Sequence, residues 1–348
     1  MQSRITKSAE TISRPRSNRS SEFLQQLFLL KNKSFLRRIL LGLALIAASI
    51  TSLFVGVADI SLSDILDGDA ESNFIIAASR FPRTISLVLA GIGMSISGLV
   101  MQQLTRNKFV SPTTAGSLEA AQLGLLAGII LLPAAATSVK ALLAFGFTFA
   151  ASLIFLKIVD SIRVRNIIFV PLVGLMFGGI LNSVATFFAI NLNIVQDMNA
   201  WMMGDFSGIL EGKYELIYFS LPAVAITYLY ANKFTLAGMG EDFSKNLGLN
   251  YRGVMNLGLF CVSLTISAIV ITAGAIPFLG LVVPNIVTML YGDNIKKVLP
   301  EVALFGALFL LICDIIGRLV IYPFEIPIGL MIGIVGGVIF LIMLLRRK

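Results

Sequence analysis

The chain has 348 residues, 57% of them hydrophobic and 13% charged, with a mean hydropathy of +0.90; a water-soluble domain carries about 25% charge, so this composition belongs in a bilayer. The formal charge of +8 does not argue for nucleic acid, because nine of the 27 basic residues precede position 39, at or ahead of the mouth of the first apolar run. Histidine is absent, which excludes Ser-His chemistry, HExxH zinc sites and His-ligated haem, and no GxxxxGK[ST] string is present to cradle ATP.

Residues 1–34 read as a basic cytoplasmic tail, disordered or lying on the membrane surface. The tail is not a cleavable signal, since its charged region is too long and the apolar run 39–57 is long enough to stay in the membrane. The transmembrane domain then occupies 35–348. Crossing a hydrocarbon core of about 30 Å takes about 20 apolar residues as helix, and such runs predict an all-α polytopic membrane protein of about ten transmembrane helices. The spans fall near 36–58, 82–103, 114–133, 139–157, 167–190, 214–231, 253–273, 277–291, 301–321 and 328–345. The short alternating segments of a transmembrane barrel are missing.

Ten spans put both termini on one side. With cytoplasmic termini, 22 of the 27 bases lie inside, leaving Arg80, Arg83, Lys140, Lys213 and Arg318 outside, as the positive-inside rule asks. The segment 59–79, with Asp59, Asp64, Asp67, Asp69 and Glu71 and no internal base, then faces outward. Gly124 with Gly128, Gly174 with Gly178, and the ladder Gly329, Gly333, Gly337 are spaced for close helix packing. Pro277 and Pro284 bracket a short eighth span, expected to be broken or tilted. Pro171 and Pro222 mark possible kinks. Cys261 and Cys313 fall within apolar runs and imply no disulfide framework.

Charges inside spans are costly and point to function or to a partner. Asp314 and Arg318, four apart on the ninth span, share a helix face, as a structural ion pair or a substrate contact. Arg80 and Arg83, in SRFPRT, stand where the second span begins. They suit membrane-edge anchors or, with Arg318, a docking site for carboxylates on a partner. The inner loop from Asn232 to Gly253 is longer than a helical connection needs. It holds a polar helical stretch, Glu241 to Leu247, closed by Gly248 at a C-cap position, either a connector or a handle for a soluble motor.

Three ordered blocks then carry a resemblance. RFPRTISLVLAGIGMSISGLVMQQLTRNKFVSPTTAG contains Arg80, Pro82, Arg83, Gly91, Gly98, Gln102 or Gln103, Asn107 and Pro112; GAIPFLGLVVPNIV and DIIGRLVIYPFEIPIGLMIGIVGG follow. Together with WMMGDFSG and GEDFSKNLGL, which add two further matches, they cover about Ser79 to Phe340. The chain resembles FecCD-type permeases, the ABC importers of iron siderophores, haem and cobalamin. The resemblance implies a dimerising ten-span subunit with no catalytic residues, no metal site and no cofactor of its own. Its implied partners are a second permease subunit, identical or related, a pair of cytoplasmic ATPases carrying ATP and Mg, and an extracytoplasmic siderophore-binding protein. Nucleic acid is not among them.

Residue by residue, the resemblance assigns binding-protein docking to Arg80, Arg83 and Arg318, and ATPase coupling to Gly240, Glu241, Asp242, Leu247 and Gly248. Asn285 stands where many members have histidine and Thr288 where many have arginine. Glu119 departs from a small-residue pattern, and NKFVSPTTAGSLEAA is similar to the branch handling catecholate siderophores. The expected cavity is lined by the fifth and tenth spans, with a gate in the inner loop from Ile162 to Asn166. Haem or cobalamin import by the same machinery is the near alternative. An ion-coupled secondary transporter, which would need buried carboxylates, and an intramembrane enzyme are the distant ones.

Overall fold

A computed structural model describes residues 17–58, 60–61, 63–64, 67–162 and 169–346, with side chains from residue 35 to 345. The described residues form an all-helical bundle. Seven helices are long and apolar enough to cross a membrane, and three shorter apolar helices lie among them, so each of the ten expected spans has a helical counterpart.

Helix α1 runs Ser17–Phe54. It begins well inside the stretch read as a disordered tail, because no glycine or proline interrupts the sequence between Pro15 and Gly42 and nothing breaks the helix of the first span. Residues 1–16 lie outside the described residues. Helix α2 (Ala70–Ile75), capped by the Asp69 carboxylate, continues through a π turn at Ile76–Arg80 into α3 (Phe81–Leu104). The second half of the segment expected as an outer loop is therefore helical. Pro82 explains the interruption. It has no N–H for the Ala78 carbonyl four residues back, and that carbonyl accepts the Glu211 N–H at 2.9 Å instead.

Helix α3 is buried on nearly all sides, as expected of a helix apolar all round, and forms the axis of the bundle. Its glycines set how close its neighbours come. A methyl on Gly98 would overlap the Gly280 carbonyl, and one on Gly91 would lie 2.6 Å from the Gly306 carbonyl. The chain continues through a 3₁₀ turn, Pro112–Thr114, to α4 (Ser117–Leu131), α5 (Thr137–Ser161), α6 (Phe169–Asn191) and α7 (Val195–Trp201). A 3₁₀ turn, Glu215–Phe219, leads into α8 (Ser220–Leu229). Pro222 sits in the first turn of α8, where its missing N–H costs nothing, so it starts this helix rather than kinking it.

Helices α9 (Ala231–Ala237) and α10 (Glu241–Asn246) form the long loop before α11 (Tyr251–Ala273). The broken eighth span is real. An extended stretch after Gly274 leads to α12, only Leu279–Tyr291, before α13 (Ile295–Leu319) and α14 (Ile328–Arg346). The ladder on α14 packs within the chain: Gly329 donates its N–H to the Gly204 carbonyl at 2.8 Å, and Gly333 and Gly337 lie against Pro277 and Phe278. Hydroxyls on buried helix faces bond the carbonyl one turn back, as at Thr148, Thr227 and Thr265, which meets their need for a partner away from water. Both cysteines are free and buried.

Candidate functional site

Two polar constructions lie at opposite ends of the bundle. At one end, the π turn and the start of α3 bring Arg80 and Arg83 beside the end of α13, where Asp314 and Arg318 share a face. Asp314 is buried and serves two guanidinium groups: Arg83 Nη2 lies 2.7 Å from its Oδ1, and Arg318 Nη2 lies 2.6 Å from its Oδ2. Arg83 Nη1 also donates to Glu325 Oε2 at 2.7 Å. The remaining donors close the C-terminus of α1. Arg318 donates to the Ser52 carbonyl at 3.0 Å, the Val55 carbonyl at 2.6 Å and the Ser52 hydroxyl at 2.7 Å. Arg80 donates to the Leu53 carbonyl at 2.7 Å and also to that of Ala58. A helix end leaves four carbonyls without intrahelical partners and carries negative dipole charge; two arginines from other helices answer both.

This differs from the picture of three arginines offered to a partner. Arg80 and Arg318 are buried, at 7% and 5% exposure, and engaged within the chain. Buried cations survive only when paired, and here the pairs are internal. An open cavity of about 210 Å³, lined by Val55, Gly56, Arg318, Tyr322 and Glu325 among others, is the route by which an outside group would reach Arg318.

A second clamp holds the middle of α1, where its apolar run begins. Glu301 on α13, 1% exposed, accepts from Arg37 at 2.8 Å and from Arg38 at 2.9 Å. The Arg37 guanidinium also lies 3.6 Å over the Tyr291 ring. Sequence reasoning counted both arginines only as tail charge. The available signal was Glu301, a lone acid at the mouth of an apolar run.

On this second end stands α10. Gly240 precedes it at φ +115°, a conformation that side chains disfavour. The helix ends as the spacing predicted: the Leu249 N–H bonds the Ser244 carbonyl at 3.0 Å, the Gly248 N–H bonds that of Lys245 at 2.9 Å, and Gly248 has φ +76°, the Schellman geometry. Buried Ser244 anchors the helix inward, donating to the Gly240 and Leu236 carbonyls. Glu241 and Lys245 pair at 2.8 Å, and that partner holds the Glu241 carboxyl below its ordinary range. Leu247 is exposed, and so are Met239 and Phe243. Phe243 and Leu247, one turn apart on α10 and its C-cap, make an exposed apolar pair, and Met239 precedes the helix on the far side of Gly240, a feature the sequence reading missed.

Of the other expected site residues, Glu119 lies at the contact of α4 with Gly178 of α6. Asn285 is buried, its amide donating to the Lys108 carbonyl at 2.7 Å, and Thr288 bonds within its own helix. The gate segment ends at Ile162 within the described residues; 163–166 lie outside them. No group of three or more metal-ligating residues occurs among the described residues.

The model of the FecCD transport family matches residues 44–346. The chain belongs to the FecCD transport family. It is 52% identical over 308 residues to the petrobactin import system permease protein YclN of Bacillus subtilis, covering 88% of this chain and 98% of that one. It is 45% identical over 304 residues to the ferric-anguibactin transport system permease protein FatD of Vibrio anguillarum, covering 87% and 97%. Among solved structures it resembles a metal-chelate type ABC transporter in an inward-facing conformation, with a TM-score of 0.75 at 23% identity over 89% of this chain and 98% of that one, which shows a shared fold. The family match begins after the basic tail, so residues 1–34 lie ahead of the FecCD core.

Proposed function

We propose that this FecCD protein is the transmembrane permease subunit of an ABC importer that carries ferric siderophores across the cytoplasmic membrane by ATP-driven alternating access. The observation that carries the reading is the full-length similarity to two siderophore permeases, at 52% and 45% identity. Both are named for siderophore systems, which supports a siderophore cargo over haem or cobalamin; the catecholate class is the specific expectation.

In this reading ATP is hydrolysed by a separate cytoplasmic ATPase pair. The exposed pair Phe243 and Leu247 of α10, with Met239 just ahead of it, is the surface that meets it: three exposed large side chains beside Glu241, Asp242 and Lys245 suit a partner's apolar surface. The two termini and α10 are then cytoplasmic. Contacts between Arg38 and Glu301, and between Thr235 of α9 and Ile295 at the start of α13, support one shared end for them. The arginine cluster faces the extracytoplasmic binding protein. Arg83 and Arg318 shape that surface from within, and a partner carboxylate entering the cavity beside Tyr322 would compete with Asp314 and Glu325 for them. Exposed apolar rows on α6 and α14, including Leu175, Ile180, Ile334 and Leu341, suit the second permease subunit and the wall of the path.

The test is growth on limiting iron of a strain lacking this chain, supplied with ferric catecholate, ferric hydroxamate, haem or cobalamin. Loss of use of one ferric siderophore, restored by the chain, is the expected result. Growth unaffected on every siderophore would refute the reading.

A further inference from the structure

The segment Gln103 to Phe109, at the end of α3 and just beyond it, touches the entry to α10 on one side and α12 and α14 on the other. On one side it meets the start of α10. The Gln103 side chain packs on Gly238 so tightly that a methyl there would overlap its oxygen, and Arg106 Nη1 lies 3.3 Å from where a Gly240 Cβ would be. Arg106 is itself held at φ +51°, a conformation that costs free energy in a non-glycine residue and marks a constrained position.

On the other side the segment is tied to α12 and α14. The Lys108 carbonyl accepts from Asn285 of α12 at 2.7 Å, and the same amide nitrogen also donates to the Leu281 carbonyl at 2.8 Å. Lys108 Nζ pairs with Asp293 at 2.7 Å just beyond α12. The Phe109 ring meets Phe340 of α14 edge-on at 6.0 Å, and Phe340 in turn neighbours Phe278 at 6.5 Å. The loop itself is stiff: the Asn107 side chain accepts the Phe109 N–H at 2.9 Å, and the Asn107 N–H reaches the Gln102 carbonyl at 3.0 Å.

We propose that Gln103–Phe109 is the rigid link that transmits displacement of α10 to α12 and α14, and that Asn285 and Arg106 are its positioning residues, one on each side. The proposal rests on α10 being the ATPase contact. A helix pushed at Gly240 moves Arg106; a short loop closed by its own hydrogen bonds does not absorb the motion and passes it to α12 through the Asn285 amide. Coupling of this kind needs a packed element that moves as a body between two arrangements. Asn285 also gains a defined part here: a side-chain N–H donor is what its position requires, and an imidazole N–H supplies the same donor.

The experiment uses the whole importer, permease with its ATPase and binding protein, in proteoliposomes, and reads ferric siderophore imported per ATP hydrolysed. Asn285→Leu should lower that ratio about five- to tenfold, the effect of one buried hydrogen bond on a two-state balance, while ATPase stimulation persists. Asn285→His should restore the ratio, which a purely structural role would not require. Arg106→Ala, at an exposed position, gives the same reading if Asn285→Leu fails to assemble. A ratio unchanged in Arg106→Ala, or in an assembled Asn285→Leu, overturns the link. Leu247→Asp separates the two levels. If it leaves ATPase stimulation normal, the α10 reading falls and the link with it; if it abolishes stimulation while the Asn285 and Arg106 variants keep full ratios, the link alone is wrong.

Discussion

Asp314 is the residue whose removal should hurt most. Its carboxylate is shared by two buried guanidinium groups at 2.7 and 2.6 Å, and no other acid lies within ion-pair distance of Arg318 among the described residues. Removing one member of a buried pair costs about 3–5 kcal/mol, because the partner's charge stays behind uncompensated. Two partners put Asp314→Ala at the upper end of that range. Glu325→Ala removes the other acid from Arg83, yet Glu325 is 26% exposed and Arg83 keeps Asp314, so about 1 kcal/mol is expected. Thermal aggregation of the purified subunit in detergent, followed by size-exclusion chromatography, ranks the two directly. Asp314→Ala should melt well below Glu325→Ala, and Asp314→Ala with Arg318→Met should recover part of the loss by removing one stranded charge. If Asp314→Ala is no worse than Glu325→Ala, the cluster does not hold this end together.

Gly98→Val should prevent close approach of α3 and α12, at the Gly280 carbonyl, with loss of about 1–3 kcal/mol or failure to accumulate; Gly42→Val, at a position with open space, is the contrast, and yields in the membrane fraction report both. Glu301→Ala should free Arg37 and Arg38 from α13 and speed tryptic cleavage after them in inside-out vesicles, with unchanged cleavage counting against the clamp. Asp69 caps α2 through the Ser72 N–H at 2.9 Å, and its carboxyl is held below the ordinary 3.8 by hydrogen bonds from Ser72. A lowered folded value means the cap is intact above the ordinary pKa and is lost as pH falls through the folded one. Hydrogen exchange across Ala70–Ile75 should therefore be faster in Asp69→Ala than in the parent chain at neutral pH, and the difference should vanish in strong acid.

The sequence showed the helices well because each span is a long apolar run between charged or glycine-rich breaks, and Pro277 and Pro284 betrayed the broken eighth span. The π turn before Pro82 was invisible, since it depends on Glu211, more than a hundred residues away, taking the stranded Ala78 carbonyl. The Asp314–Arg318 pair was legible from its four-residue spacing. What Arg80 and Arg318 do was not. Their main partners are carbonyls at the end of α1, which carry no side-chain signature, so the sequence offered an anchor, an ion pair or a docking cation and not the capping of a distant helix. Arg80→Glu with Arg318→Glu, a natural test of docking from sequence alone, would therefore break this end of the subunit itself.

The central claim, a permease driven by ATP through a separate motor, is tested most directly by uptake of ⁵⁵Fe-labelled siderophore into proteoliposomes holding this chain with its partner subunits. Uptake that requires ATP and the loaded binding protein, and persists when ion gradients are collapsed, is the result expected. Uptake by this chain alone, driven by an ion gradient and indifferent to ATP, would contradict it.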